Sequence, residues 1–271
     1  MAEGFIASLF AALGYQLIGV ALFLPLELAF PRSRARFAER AGGFIFLLAT
    51  ALVLAIVSSS VAWLKATFAI EPLFVLRSGL WSPILAAIGG ALLVDLQFYA
   101  IHRFEHRFTW RFHAVHHSIR HLSAANSYHH WTEPLIGFPV MLFYLFVIDV
   151  QIAPTLALLS FLFRFQQFYI HSSARPHLGP LRWILVDNRY HRIHHSLEPE
   201  HHDKNFGAMT PLWDWLFGTL YMPAPDAWPE VGLEQIDEPK SLAEWSSLPW
   251  RFTESTKPAP GSSTNCRASL T

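Results

Sequence analysis

Long uncharged runs dominate the first part of this chain. Residues 4–26 and 41–64 contain no charged side chain, and residues 78–94 form a third, shorter run. A bilayer core of about 30 Å takes roughly 20 helical residues, so each run predicts a membrane helix. A fourth apolar region extends from 134 to 171, too long for one span and interrupted by Asp149 and Pro154. It predicts a hairpin of two helices, about 135–149 and 153–171. The pattern predicts an all-α, polytopic membrane protein with about four to five membrane helices. Because the N-terminal run has no basic residues before it and is long, it reads as a retained helix and not a cleaved signal.

The polar stretches between the runs set an orientation. Arg32, Arg34, Arg36 and Arg40 follow the first run, whereas only Lys65 and Arg77 follow the second. Short loops rich in Lys and Arg stay in the cytoplasm, so the first loop is cytoplasmic. The third run and the hairpin then deliver residues near 102 and 171 to the same side. Residues 172–221 are mixed and proline-broken, and they read as part of a cytoplasmic helical cap. The resulting organisation is N-terminal membrane helices (1–80), a catalytic domain (81–221) and a largely disordered tail (222–271).

Composition narrows the class. Charged residues make up 15% of the 271, and 20 basic residues balance 20 acidic ones. Soluble domains carry about 25% charged residues, so the low figure agrees with a membrane protein. A balanced charge without a basic run argues against nucleic acid as a partner. The lone Cys266 excludes a disulfide framework and thiolate metal clusters.

All fifteen histidines lie between His102 and His202. Three groups have helical spacing: His102-x-x-x-His106, His113-x-x-His116-His117 and His191-x-x-His194-His195. Residues at i, i+3 and i+4 share a helix face, so the rings of each box are expected to converge on one region. Imidazole suits iron, copper and zinc. Three boxes plus isolated histidines exceed the needs of one ion, which points to two. Asp95, Tyr99, His102 and His106 form one stripe along the third helix. Asp95 is placed to accept a hydrogen bond from a liganding imidazole and fix its tautomer. Glu105, one position off that stripe, reads as a surface residue. His129 and His130 point about 100° apart in a helix, so at most one is a ligand. His121 and His177 read as solvated, and His201 and His202 have no settled role. Zinc-protease, nucleotide-binding and nucleophile-elbow motifs are absent.

These elements resemble the fatty acid hydroxylase / sterol desaturase superfamily of integral-membrane oxygenases. The resemblance rests on Asp95-x-x-x-Tyr99-x-x-His102-Arg103-x-x-His106, on Phe112-His113-x-x-His116-His117-Ser118 and on His130-Trp131-Thr132-Glu133. It continues in Gln167-Phe168-Tyr169-Ile170-His171, His191-Arg192-x-His194-His195, Asp203-Lys204-Asn205-Phe206-Gly207 and the stretch from Leu212 to Thr219. It covers residues 90–221, and the three residues between His102 and His106 favour the hydroxylase branch. Trp131 stands where that family commonly has proline.

The resemblance implies a histidine-rich cap over two Fe2+ ions, with zinc able to replace iron in purified material. It implies His102, His106, His113, His116, His117, His130, His171, His191, His194 and His195 as ligands. Asp95, Tyr99 and Asn205 would act beside them, Asn205 as a weak ligand or orienting amide. The implied reaction hydroxylates or desaturates an unactivated C–H bond of a membrane lipid. It uses O2 and two electrons from a b-type cytochrome or a ferredoxin with its reductase. Phe161, Phe163, Phe165, Phe168 and Tyr169 are candidates for the lipid cavity or for helix packing. The competing readings are a histidine-rich metal transporter and a catalytically silent relative.

Overall fold

A computed structural model of the chain describes residues 2–71, 73–77, 83–137, 148–151, 162–163 and 165–252. The fold is mostly helical. Helix α1 (Ala2–Ala29) and helix α3 (Phe44–Phe68) lie along each other, joined through the short α2 (Phe37–Ala41). Phe10, Leu17, Ile18 and Leu22 of α1 and Ile45, Leu52 and Ile56 of α3 are exposed. A contiguous apolar surface of this kind belongs in lipid. Among the described residues, two helices are long and apolar enough to cross a membrane, Gly4–Ala29 and Phe37–Thr67. They coincide with the first two expected spans, and they mark a membrane protein.

Helix α4 (Pro83–Phe108) runs without a break through Asp95, Tyr99, His102 and His106. The stripe read from the sequence is therefore one helix face. A single residue, Thr109, separates α4 from α5 (Trp110–His117). That corner turns the second histidine box back against the first.

The expected hairpin is described at its ends and at residues 148–151. Glu133–Ile136 forms a single turn (α6), and residues 165–171 are helical. Residues 138–147 and 152–161 lie outside the described residues. Ile148–Gln151, expected as the end of the first hairpin helix and the start of the bend, is instead extended and pairs in parallel with Phe74–Arg77. β-Branched and aromatic residues at Ile148, Val150, Phe74 and Val75 favour a strand there. This short pair is the departure from an all-α fold.

The cap continues with α7 (Asn188–His194), α8 (Leu212–Leu216) and α9 (Leu242–Ser247). Asp187 caps α7 by accepting from the N–H groups of Arg189 and Tyr190. Its main core joins Phe46 and Leu47 of α3 to Ala114, Val115, Ile119, Leu122 and Tyr128. Val231, Leu233, Trp245, Leu248 and Phe252 complete it. The tail expected to be largely disordered from 222 is therefore packed through Phe252, because its apolar residues, spaced among prolines, fill this core. Residues 253–271 lie outside the described residues.

Two buried charges fasten the first span to the cap. Glu27, fully buried near the end of α1, accepts hydrogen bonds from the N–H groups of Ala124 and Ser173, both 2.9 Å. Arg40 lies 3.9 Å from Glu27 and also bonds Ser173 Oγ and the Ser33 carbonyl. Arg40 counted among the orienting arginines of the first loop, yet it is 2% exposed and serves as a tie.

Candidate metal centre

The three boxes meet in the cap; the first stays whole, and the second and third are each divided. His102 and His106 of α4, His113 and His117 of α5 and His194 of α7 form one group of five. His116, His171, His191 and His195 form a second group of four. Within each group the ligand atoms lie within 4.8 Å of one another. The i, i+4 pairs stay together, and the ring at i+3 goes to the other group. The expectation that a box converges on one region holds for His102 and His106 and is corrected for the second and third boxes. His116 and His117, neighbours in the chain, serve different groups, as do His194 and His195.

Hydrogen bonds at Nδ1 set the tautomers. His102 donates to the Phe206 carbonyl (2.9 Å), His116 to Tyr128 (2.9 Å), His171 to Gln167 (2.6 Å) and His194 to Lys204 (2.7 Å). A carbonyl oxygen only accepts, so each of these rings carries its proton on Nδ1 and a lone pair on Nε2. Carboxylates meet two more: Asp203 lies 3.2 Å from His106 Nδ1 and Glu133 3.4 Å from His113 Nδ1.

Those lone pairs face one another. Nε2 of His116 and Nε2 of His171 are 3.1 Å apart, although both rings hold their protons at the far nitrogen. No proton is left to bridge them, and two bare lone pairs repel. The same close approach occurs between His102 and His113 (3.1 Å), His106 and His117 (3.1 Å), and His191 and His171 (3.0 Å). Two nitrogens each about 2.1 Å from one cation and at right angles lie about 3.0 Å apart. His194 Nε2 is buried without a hydrogen-bond partner, as a ligand awaiting an ion is. The donor set fits two metal ions, one in each group.

The neutral state of the rings has a pH consequence. Burial, reinforced by neighbouring rings, holds His116, His117, His191 and His195 well below the ordinary range. Burial holds His194 down to about 3. In the unfolded chain a histidine titrates near 6.5. Below that pH the unfolded chain takes up protons that the folded site refuses. Stability of the metal-free protein is therefore retained above pH 6.5 and lost as pH falls. The loss is about 1.4 kcal/mol per pH unit for each such ring, and for His194 it levels off near its folded value. Thermal unfolding of metal-free protein should show a clearly lower midpoint at pH 5.5 than at 7.5. A flat midpoint would count against the neutral arrangement.

A loop brackets the first group from behind. Its carbonyls, Lys204 and Phe206, are the acceptors for His194 and His102. Asp95 was expected to hold an imidazole; it holds this loop instead. Its carboxylate accepts from the N–H groups of Ala208 (3.2 Å), Met209 (2.8 Å) and Thr210 (3.0 Å) and from the Thr210 hydroxyl (3.1 Å). The reason is its position, about two helical turns before His102. Asp214, fully buried, accepts from the N–H groups of Phe206 (2.9 Å) and Gly207 (2.7 Å) and from the hydroxyls of Tyr190 and Thr219. A Cβ at Gly207 would lie 2.6 Å from the Thr210 carbonyl and 2.9 Å from Asp214, so the bracket needs glycine there.

The other expected site residues also have structural partners. The Tyr99 hydroxyl lies 3.0 Å from Thr219 Oγ1 and accepts from Arg103, while its ring packs on Phe206 and Phe217. Asn205 adopts a left-handed backbone, φ 58°, which Asn tolerates better than most residues. Its amide donates to the carbonyls of Tyr190 and Tyr221 and accepts from the Tyr221 N–H. These hydrogen bonds go to backbone groups of the cap, so in this fold the amide ties the 205 loop to Tyr190 and Tyr221.

His130 lies outside both groups. Its nitrogens meet Thr132 Oγ1 (2.8 Å) and the Ser246 carbonyl (3.3 Å), and Trp131 and Trp245 pack around it. Its neighbour His129 is the one turned inward. That ring stacks on His116 with centroids 3.9 Å apart, and its Nδ1 lies 2.6 Å from Glu133. His113, His129 and Glu133 make a third cluster beside the first two. Glu105, read as a surface residue, is buried with a carboxylate oxygen 3.5 Å from His113 Nδ1. The i, i+4 spacing of His129 and Glu133 was the available signal for that cluster. His201 is buried against Ser196, and His177 is exposed.

Two cavities reach the rings. The larger, about 560 Å3, has apolar walls that include Leu47, Leu54, Val94, Phe98, Phe163 and Phe168. Its inner end exposes His102 and His113 of the first group and His116, His171 and His191 of the second. Of the expected cavity aromatics, Phe163 and Phe168 line it, whereas Phe165 and Tyr169 pack on Phe23; Phe161 is outside the described residues. The smaller cavity, about 370 Å3, reaches His106, His117 and His194 from the other side, past Ser196, His202, Asp203 and Glu234.

Residues 87–219 match the family described as fatty acid hydroxylase. The alkylglycerol monooxygenase of Danio rerio is 32% identical over 143 residues, 52% of this chain and 30% of that protein. The ornithine lipid hydroxylase OlsE of Rhizobium tropici is 27% identical over 156 residues, 56% of this chain and 47% of its own length. The human alkylglycerol monooxygenase is 30% identical over 135 residues, 47% of this chain and 28% of that protein. The chain thus spans less than half the length of each of these relatives. No solved structure matches it.

Proposed function

Since residues 87–219 make this chain a member of the fatty acid hydroxylase superfamily, we propose that it is a membrane-bound, metal-dependent oxygenase that hydroxylates a lipid. The observation that carries this reading is the larger cavity, apolar along its walls and ending on rings of both groups. Lipid enters such a space from the bilayer without passing through water. Phe98, Phe163 and Phe168 orient the acyl or ring skeleton by contact and exclude solvent. Two iron ions in the two groups would supply the O2 activation that an unreactive C–H bond requires, with two electrons from a separate donor. The nine imidazoles would hold those ions as neutral ligands, with the positive charge offset only at a distance, by Glu133 and Asp203. Phe206 and Lys204, through their carbonyls, keep His102 and His194 in the liganding tautomer. Hydroxylation is preferred over desaturation because the relatives of printed function are hydroxylases or monooxygenases. In this reading the spans continue beyond the two described, and the cap faces the cytoplasm. A transport role would require ligands along the membrane helices, yet neither α1 nor α3 contains a histidine or cysteine.

The test is direct. Full-length protein in lipid nanodiscs, loaded with Fe2+ and given an electron source, is incubated with alkylglycerol and ornithine lipid under 18O2. The expected product is a lipid heavier by one oxygen atom carrying the label. Absence of label in every lipid, at two irons per chain, would sink the proposal.

A further inference from the structure

Two polar amides in the larger cavity are unexplained by the metal centre: Gln167, at its inner end beside His171 and with its own Nε2 buried without a partner, and Gln16, deeper in the membrane span. Gln16 lies inside α1, within the apolar stretch Gly4–Ala29. It is 7% exposed and lines the cavity. Its amide makes no hydrogen bond to any described residue, so its donors and acceptor face only the cavity. Across the space, Thr50 of α3 donates its hydroxyl to the Phe46 carbonyl, leaving that oxygen able to accept. Polar groups inside a membrane helix are costly, and they persist where they meet a partner or a ligand. Among the described residues Gln16 has no hydrogen-bond partner, and the group it faces is the occupant of the cavity.

We infer that Gln16 is a specificity-determining residue that binds an oxygen function of the lipid substrate. The class it fits best is a hydroxyl, which satisfies the amide N–H as acceptor and the amide oxygen as donor at once. Ether and ester oxygens satisfy the N–H alone. A bare hydrocarbon chain satisfies neither and leaves a buried amide unpaired. The position has a geometric consequence. Gln16 is about three helical turns from Glu27, which is fastened to Ser173 beside the second metal group. The oxygen function is therefore gripped within the span, and the carbon offered to the rings lies toward the cap from it.

This rests on the reading that the cavity takes lipid, and its test is a binding measurement that needs no turnover. Metal-loaded, full-length protein in nanodiscs under nitrogen is titrated with octadecan-1-ol and with octadecane, labelled and of equal chain length. Wild type should retain the alcohol at least tenfold more tightly than the alkane. Gln16→Leu should bind the alcohol about tenfold more weakly, with alkane binding and metal content unchanged, and Gln16→Asn should recover part of the loss. Should Gln16→Leu fail to assemble, the alcohol–alkane ratio of wild type still decides. Equal retention of both ligands by wild type, or full alcohol binding by Gln16→Leu, overturns the inference. Selective binding without any oxidised product would instead sink the oxygenase reading and leave this one standing. Oxidation that ignores Gln16 would do the reverse.

Discussion

Replacing His195 with alanine should leave this protein with one firmly held metal ion in place of two, and replacing its chain neighbour His194 should loosen the other. The two rings are adjacent in sequence, but His195 completes the group of four and His194 the group of five. Removing His195 leaves three neutral rings at its site, which hold an ion less firmly than four, so that ion should be the one lost to a brief chelator wash. Removing His194 leaves four, so that ion should remain but exchange faster. Either change should reduce lipid oxidation by more than about 100-fold, since even partners outside the ligand set commonly cost about 10–100-fold. Elemental analysis before and after a brief chelator wash reads both outcomes. Simultaneous loss of both ions from either variant would contradict two separable groups.

Asp214→Ala should be nearly as damaging although Asp214 touches no ring. It accepts two backbone N–H groups and two hydroxyls in a fully buried place. A buried donor left without its acceptor costs about 1–3 kcal/mol, and here four lose theirs together. The loop then has no reason to keep Lys204 and Phe206 aimed at His194 and His102. The expected result is about 3 kcal/mol or more of lost stability, together with metal loss confined to the group of five. Asp214→Asn, which keeps one acceptor oxygen, should fall between. Full metal content with normal thermal stability in the alanine variant would show that the bracket does not orient the ligands.

How much of this was legible beforehand follows from the range of each interaction. The first two spans and the α4 stripe were readable because hydropathy and helical period are local properties. Nine of the ten expected ligand positions lie in the two groups, since i, i+4 spacing survives into the fold. The division of the second and third boxes was not readable, because it depends on the angle between α4, α5 and α7. His130 was chosen over His129 on a motif, and tryptophan packing around His130 decided otherwise. Asp95 was read as a partner of a liganding ring because it shares the helical stripe of His102 and His106, and Asn205 because the family resemblance implies it. In the fold their partners are backbone groups more than ten residues away. Glu27 and Arg40 carried no signal, as a carboxylate and a guanidinium near a helix end usually mean only a membrane boundary. The apolar residues from Val231 to Phe252 were obscured by the prolines around them.

The Glu27 tie bears on what counts as a portable unit. The recognisable family segment begins at residue 87, yet the N–H groups of Ala124 and Ser173 inside it find their acceptor 97 and 146 positions upstream, outside the segment. Phe46 and Leu47, also upstream, fill the core against which the second histidine box is packed. Grafted alone onto another membrane anchor, the segment would arrive with two buried donors unanswered and a gap in its interior. Whatever lineage carries these histidines must therefore carry a matching first span with them, or replace that carboxylate from somewhere else.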